Sequence, residues 1–252
     1  MSAGRDGRQD APAPPSRGVA VVIFAKAPVP GRVKTRLASD IGPAAAAALQ
    51  EALILDTAEV VIGAAASVAP APALACAFAE AEDEPILRSM LPDAFRMVPQ
   101  GSGDLGARLD RVLHRLLRRG PGCVALGVDC PDLLPRHVSA AVGALGRADA
   151  VLGPAADGGC WAIGLARPLP SPFSGIPWST GAVHAALRER LAARGASVIE
   201  LEPLRDVDRR DDLVRWGSRP AQGWRRTREW WRSAAASRAA GVRRDAPRGT
   251  PG

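Results

Sequence analysis

Short apolar runs alternate along the chain with longer stretches in which apolar positions recur at helical spacing. The first run, residues 19–25, is continuously apolar and rich in β-branched side chains, which is typical of a strand buried on both faces of a parallel sheet. Further strands are predicted at residues 73–79, 96–99, 123–128, 150–153, 161–165 and 197–201.

Helices are predicted between these strands. The stretch 105–119 has the clearest amphipathic pattern, with Leu109, Leu113 and Leu116 on one side and arginines on the other. The remaining helices are predicted at residues 43–65, 135–145, 180–194 and 208–216, with Ser179 or Thr180 as the N-cap of the third of these. The alternation predicts a three-layer α/β/α fold around a mostly parallel sheet, in one domain covering residues 19–216.

The formal net charge of +7 is confined to one end of the chain. Residues 217–252 contain nine arginines and two acidic residues, so residues 1–216 are formally neutral. No specific nucleic-acid partner is therefore expected for the domain. The basic, Arg- and Trp-rich tail at 217–252 has two interpretations: a solvated segment, or a helix that touches a membrane surface or another anionic partner.

Residues 1–18 lack a hydrophobic signal core and are predicted to be a disordered leader. The apolar run at 19–25 is too short to cross a bilayer, so no transmembrane segment is expected. The four cysteines show no spacing typical of a metal site, which favours buried thiols in a reducing compartment. These features predict a cytoplasmic protein.

Cationic side chains cluster directly after the first predicted strand. The only two lysines of the chain, Lys26 and Lys34, lie in this loop with Gly31, Arg32 and Arg36. Ligands bind open α/β sheets at the carboxyl ends of the strands, and a loop shaped by proline and glycine can hold a polyphosphate with ammonium, guanidinium and backbone N–H groups. The loop matches neither the P-loop nor the Rossmann fingerprint.

Carboxylates follow the later strands. Asp129, Asp157 and Asp208 are each placed where a strand or its following loop ends, and a pair of carboxylates across a site can hold Mg²⁺ or Mn²⁺. Asp157 lies in a glycine-rich turn that it could simply organise, and Asp208 also lies where a helix cap belongs.

The segment QGSGDLGARL, residues 100–109, supplies three more candidate nucleotide-binding residues. These are Gln100, Gly103 and Asp104, and the last has an alternative role as the N-cap of the helix that follows. None of the three histidines has a serine or cysteine partner in an identifiable triad, so nucleophilic hydrolysis finds no support.

Six segments in fixed order carry a family resemblance: FAKAPVPGRVKTRLA, QGSGDLGARL, GVDCPDL, LGPAADGGCWAIGL, GIPWST and DVDRRDDL. Together they resemble a bacterial glycosyltransferase-A-like family of provisionally assigned glycosyltransferases, some of them associated with arsenosugar and radical-enzyme genes. The resemblance covers about residues 19–216. It implies the nucleotide-diphospho-sugar transferase (GT-A) fold.

The resemblance also implies roles for individual residues. Lys26, Gly31, Lys34 and Arg36 would correspond to the first-loop nucleotide site. Asp129 would be the metal-binding acid, Asp208 a second metal ligand, and Asp157 part of an acceptor-side turn. The family usually has an aromatic residue directly after DGG, where this chain has Cys160 followed by Trp161. A stacking contact is therefore either missing or supplied by Trp161.

Three functions remain open at this point. The first is a metal-dependent glycosyltransferase that uses a nucleotide-diphosphate sugar and a small-molecule acceptor, with Asp157 orienting or deprotonating the acceptor hydroxyl. The second is a nucleotidyltransferase that joins a nucleotide from a nucleoside triphosphate to a small phosphorylated metabolite. The family favours the first, and the four cations of the loop favour the second. The third is a non-catalytic nucleotide sensor.

Overall fold

The computed structural model describes residues 18–219 and 223–244 of the chain. Seven strands and eight helices occur in these residues, in this order: β1 Ala20–Ala25, α1 Thr35–Ile41, α2 Pro43–Ala65, β2 Ala73–Phe78, α3 Asp83–Met90, β3 Arg96–Pro99, α4 Leu105–Leu117, β4 Cys123–Gly127, α5 Pro135–Ala144, β5 Ala150–Pro154, β6 Cys160–Leu165, α6 Val183–Ala192, β7 Val198–Glu200, α7 Arg210–Gly217 and α8 Arg225–Arg244. The predicted leader lies outside the described residues except for Gly18, as do residues 220–222 and 245–252 of the predicted tail.

The strands form one seven-stranded sheet in the order β3-β2-β1-β4-β6-β5-β7. All neighbouring pairs are parallel except those of β6, which runs antiparallel to both β4 and β5. Because β6 begins where β5 ends, the turn between them lies at the same edge as the carboxyl ends of the parallel strands. The predicted α/β fold with a mostly parallel sheet is confirmed.

Strand β1 is apolar throughout because both of its faces are covered. Val21 and Ile23 face one buried cluster, and Ala20 and Val22 face the other. These four side chains are at most 3% exposed. The two apolar layers hold the sheet rigid, so its carboxyl edge is a fixed platform for the loops.

Two short helices were missing from the sequence prediction. Helix α1 lies within the lysine-bearing loop and starts without a side-chain cap, and α3 follows β2. The helix predicted at 180–194 begins at Val183, because Thr180 accepts a bond from the backbone of Ala182 and donates to Pro177, which keeps residues 178–181 in a loop. None of the helices within residues 18–219 and 223–244 combines the length and apolarity needed to cross a membrane.

The segment after Trp216 packs on the domain instead of leaving it. Helix α8 lies against α2, and the Trp224 side chain before it is 4% exposed and donates to the carbonyl of Leu133 at 2.7 Å. The Thr227 side chain, in the first turn of α8, is 1% exposed. The solvated-tail interpretation is therefore wrong for Trp224, Trp230 and Trp231, which pack against the buried core of the domain.

A buried histidine makes the stability of the fold depend on pH. His137, 5% exposed, accepts a hydrogen bond from the Leu134 backbone, which requires a neutral ring. Burial, followed by the charge of Arg136, lowers its pKa from 6.5, and Glu202 opposes this shift. Below about pH 6.5 this histidine binds a proton more readily in the unfolded chain than in the folded chain. The free energy of unfolding therefore decreases as the pH is lowered, by up to about 1.4 kcal/mol per pH unit.

Urea unfolding at pH 7 and pH 5 measures this effect. His137→Asn keeps an acceptor for the Leu134 backbone but cannot be protonated, so its loss of stability between the two pH values should be smaller. Equal losses in the variant and the wild-type chain would contradict the assignment.

Candidate active site

A cleft of about 900 Å³ lies at the carboxyl edge of the sheet. Most of the predicted site residues line it: Lys26, Arg32, Lys34, Arg36, Gln100, Gly103, Asp129, Asp157 and Asp208. They come from the loops after β1, β3, β4, β5 and β7. The expectation that these scattered acids and bases meet at one edge agrees with this geometry.

Lys34 joins two of these loops. Its ammonium lies 2.6 Å from Oδ1 of Asp129 and donates to the carbonyl of Val207 at 2.6 Å. The Lys34 side chain is only 3% exposed, whereas that of Asp129 is 51% exposed. The Val207 backbone in turn donates to the Asp129 carbonyl at 2.8 Å. Asp129 is thus held from below by a buried cation and still presents carboxylate to the cleft.

The backbone at Lys34 is left-handed, with φ 47° and ψ 41°. This conformation is unfavourable for a residue with a Cβ. It turns the chain at the start of α1, and the side chain reaches under the β4 loop. A compact ammonium at the end of an unbranched stem suits this narrow position, between one carboxylate oxygen and one carbonyl.

The two arginines of the first loop are each held by a carboxylate. Arg36 bonds Asp208 at 2.8 Å, and Arg32 lies 3.2 Å from the buried Asp83 at the start of α3. Both guanidiniums remain about half exposed and line the cleft. Asp208 is therefore directed at Arg36. Lys34, the cation beside Asp129, is instead contacted by the backbone carbonyl of Val207.

Two predicted residues do not line the cleft. Gly31, at φ 81°, forms a turn in the first loop, a conformation that favours glycine. Asp104 accepts a hydrogen bond from the Ala107 backbone at 2.8 Å and caps α4, which agrees with the alternative kept for it in the sequence. Gln100 does line the cleft, and its buried amide donates to the carbonyl of Ala77 at 2.8 Å.

Asp157 lies in the tight turn between β5 and β6. Its Oδ1 accepts from the Gly159 backbone at 2.8 Å, so the carboxylate does organise the turn. Gly158, at φ 86°, lies so close to Gly181 that any side chain would collide with that backbone. The turn is thereby fixed against loop 178–181, and Oδ2 of Asp157 has no hydrogen-bond partner among the described residues.

Asp206, the other aspartate of the DVD segment that follows the last strand, is a site residue that the predicted metal ligands did not include. It lines the cleft, and burial followed by repulsion from Asp157 raises its pKa above 3.8, while Lys34 opposes the shift. The charges of Asp129, Asp157, Asp206 and Lys34 all act on the buried thiol of Cys130, so these four groups converge around it. The DVD segment itself was the signal, but its spacing could not tell which aspartate faces inward.

The carboxylates at this point suit a hard divalent cation. No set of three or more His, Cys, Asp or Glu side chains in residues 18–219 and 223–244 forms a ready-made metal site. Asp129 and Asp206 nevertheless offer carboxylate oxygens, which Mg²⁺ and Mn²⁺ prefer, and the mutual repulsion of Asp206 and Asp157 is what a bound cation would relieve. Oδ2 of the predicted ligand Asp208 is engaged by Arg36, as Oδ1 of Asp129 is by Lys34, whereas Asp206 forms no salt bridge within residues 18–219 and 223–244.

Two apolar side chains, Leu105 and Trp178, also line the cleft. Leu105 is 44% exposed at the start of α4, and the half-buried Trp178 lies beside it. Trp161 cannot supply the stacking contact considered above, because it is 2% exposed and its indole donates to the carbonyl of Glu202. Burial raises the pKa of Cys160 to about 12, so its thiol is not a nucleophile at neutral pH.

Comparison with known proteins agrees with this fold. The model of a family described as uncharacterized proteins conserved in bacteria, DUF2064, matches residues 64–180. A crystal structure from Desulfovibrio desulfuricans G20, provisionally assigned as a nucleotide-diphospho-sugar transferase, is 26% identical; it covers 87% of this chain and 96% of its own, with a TM-score of 0.78. Comparison with curated proteins gives no match.

Two more distant structures share the fold alone. CMP:2-keto-3-deoxy-manno-octonic acid synthetase complexed with CTP is 14% identical over 79% of this chain and 96% of its own, with a TM-score of 0.51. 4-Diphosphocytidyl-2C-methyl-D-erythritol synthase from Anaerococcus prevotii is 11% identical over 79% of this chain and 94% of its own, also with a TM-score of 0.51. The chain has the nucleotide-diphospho-sugar transferase fold.

Proposed function

We propose that this protein is a metal-dependent glycosyltransferase that uses a nucleotide-diphosphate sugar as donor and a small molecule as acceptor. The observation that carries the proposal is the contact between Lys34 and Asp129, which joins the cationic first loop to the acidic loops in one cleft. The assignment given to the Desulfovibrio structure, which is similar over most of both chains, supports the same choice.

The first loop is suited to the diphosphate. Lys26 is exposed at the cleft, which Arg32 and Arg36 also line. Charge-assisted hydrogen bonds from such groups are about twice as strong as neutral ones. Asp129 and Asp206 would hold a divalent cation, whose charge would offset that of the leaving diphosphate.

Asp157 is suited to the acceptor. One of its oxygens is fixed by Gly159, so the other can accept a hydrogen bond from an acceptor hydroxyl. In the transfer, the acceptor oxygen bonds to the anomeric carbon, the bond from that carbon to the phosphate oxygen breaks, and the hydroxyl proton passes to Asp157. The nucleoside diphosphate leaves with the bonding electron pair.

A nucleotidyltransferase is the second candidate. Six cationic side chains line the cleft: Lys26, Arg32, Lys34, Arg36, Arg108 and Arg209. This is more positive charge than a diphosphate requires and suits a triphosphate. The two functions use the same loop and differ in which bond of the donor breaks, so products distinguish them.

Thermal unfolding with nucleotide sugars and nucleoside triphosphates, with and without Mn²⁺, tests the proposal. A donor at about 100 times its Kd should raise Tm by roughly 5–10 °C. Asp129→Asn should abolish the part of the shift that requires metal, and Asp93→Asn, an exposed aspartate outside the cleft, should not.

Product analysis then separates the two candidates. Release of a nucleoside diphosphate from a nucleotide sugar supports glycosyl transfer. Release of pyrophosphate from a nucleoside triphosphate, with no turnover of any nucleotide sugar, would replace it with nucleotidyl transfer. No stabilisation by any nucleotide would overturn both.

A further inference from the structure

A second cavity of about 260 Å³ adjoins the cleft. It shares Arg36, Asp157, Asp206, Asp208 and Arg209 with the cleft, whereas Lys26 and Gln100 line the cleft alone and Arg205 lines the smaller cavity alone. The rest of its wall comes from Asp132 and Ala156 in the loops after β4 and β5, from loop 205–209, and from α7 and the residues that follow it. The carboxylates thus line both compartments, and the cations Lys26, Arg32 and Arg108 line only the larger one.

The smaller cavity is rich in arginine, and most of its charges are paired. Arg36 bonds Asp208 at 2.8 Å, and Arg219 bonds Asp132 at 2.6 Å. The third pair, Arg215 with Asp212, is 3.7 Å apart.

Arg205 and Arg209 also line this cavity and differ from the other three arginines. Neither has a carboxylate within salt-bridge distance anywhere in the part of the chain that the structure describes. Two guanidiniums therefore remain available to a ligand. Their summed charge matches a phosphate monoester, which carries between −1.5 and −2 at neutral pH, and their planar forks match its oxygens.

The wall of the cavity is held by the C-terminal helix. Arg228 of α8 donates to the carbonyl of Arg219 at 2.9 Å, and its guanidinium lies 4.1 Å from the ring centre of Trp216. Trp216 itself lines the cavity and donates to the carbonyl of Pro131 at 3.1 Å. Helix α8 thus holds two residues of the cavity wall, Trp216 and Arg219, in place through Arg228. The docking of α8 on the domain therefore supports the cavity beside the cleft.

We propose that the acceptor is a small phosphorylated molecule whose phosphate binds Arg205 and Arg209 in this cavity. The inference rests on the proposed transferase function and names the acceptor class. An acceptor anchored there would present its hydroxyl to Asp157 from the compartment that lacks Lys26 and Gln100. The nucleophile and the leaving nucleotide would then lie on different sides of the reacting atom, as in-line displacement requires.

Ligand-observed NMR titration of the full chain tests the proposal, with glycerol phosphate as probe and glycerate as its carboxylate counterpart. The Lys26→Gln background weakens phosphate binding in the nucleotide compartment. In that background, adding Arg205→Gln and Arg209→Gln should weaken glycerol phosphate at least about tenfold, since each lost charge-assisted bond is worth more than a kcal/mol. Adding Arg147→Gln, an exposed arginine that lines neither cavity, should leave it unchanged.

Equal affinity in the doubly substituted protein, tighter binding of glycerate than of glycerol phosphate, or no binding to the starting protein would each overturn the proposal. Nucleotide stabilisation, measured on the Arg205→Gln chain with Lys26 intact, should match the wild-type chain, because Arg205 lines the smaller cavity alone. If the wild-type chain binds no nucleotide while glycerol phosphate binds as expected, the transferase function fails and the anion site stands.

Discussion

Replacement of Lys34 with methionine is expected to lower kcat/KM at least about 100-fold, the usual cost of losing one preorganised charge at a reacting centre. Methionine fills the space of the lysine stem but removes the ammonium from Asp129 and from the Val207 carbonyl. Asp129 then loses its fixed orientation and the cleft loses a buried cation. The unpaired Val207 carbonyl should also cost about 2 kcal/mol of unfolding free energy.

Two further variants separate charge from geometry at this position. Lys34→Arg keeps the charge, but a planar fork does not match one carboxylate oxygen and one carbonyl 2.6 Å away, so activity should remain low. Lys26→Met removes the other lysine, which is exposed, and should weaken nucleotide binding with little change in stability. Steady-state kinetics and urea unfolding of the three variants measure this. Full activity of Lys34→Arg would show that charge alone matters there.

Replacement of Asp56 with alanine is expected to cost about 3 kcal/mol of unfolding free energy, because it leaves buried donors without an acceptor. Asp56 lies on α2 and is 2% exposed. Its Oδ2 accepts from both the backbone and the hydroxyl of Thr227 at 2.8 Å, and its Oδ1 accepts from the Arg226 backbone at 3.2 Å. A carboxylate from a distant helix thus caps the N-terminus of α8 and complements its dipole.

Hydrogen exchange should show the same effect locally. In Asp56→Ala, amides in the first turns of α8 should exchange faster than in the wild-type chain. Glu59→Ala is the matched control, since this acid pairs with the same Arg226 but is 65% exposed, and exposed ion pairs contribute less than about 1 kcal/mol. Unchanged α8 exchange in Asp56→Ala would show that α8 is held by apolar packing alone.

The strands were predictable because their signal is local. The continuous apolar run at 19–25 became β1, and Arg96–Pro99 was predicted with the bounds observed. Helix α2 was likewise predicted with its observed bounds, from its alanine and leucine pattern and the proline at its start. Helix α1 was not, because it is short and its N-cap residue, Lys34, is in a left-handed conformation and forms no side-chain cap.

The sequence predicted which side chains meet at the edge of the sheet, but not which of them bond to each other. Once the strands are assigned, the rule that ligands bind at their carboxyl ends brings Lys34, Asp129 and Asp157 to one edge. The inward direction of Asp206, with Asp208 turned toward Arg36, depends on how loop 205–209 packs on the β4 loop. No pattern within the DVD segment encodes that packing.

The sequence by itself determined which segments form the sheet and which polar side chains end at its edge, since periodicity and strand ends are properties of neighbouring residues. Only the tertiary structure decided the partners of those side chains. The Lys34–Val207, Arg36–Asp208 and Thr227–Asp56 bonds join residues 173, 172 and 171 positions apart. Such contacts form only when the loops and α8 are brought together by the packing of the apolar layers, and a charge pattern alone does not specify which distant partner each side chain will meet.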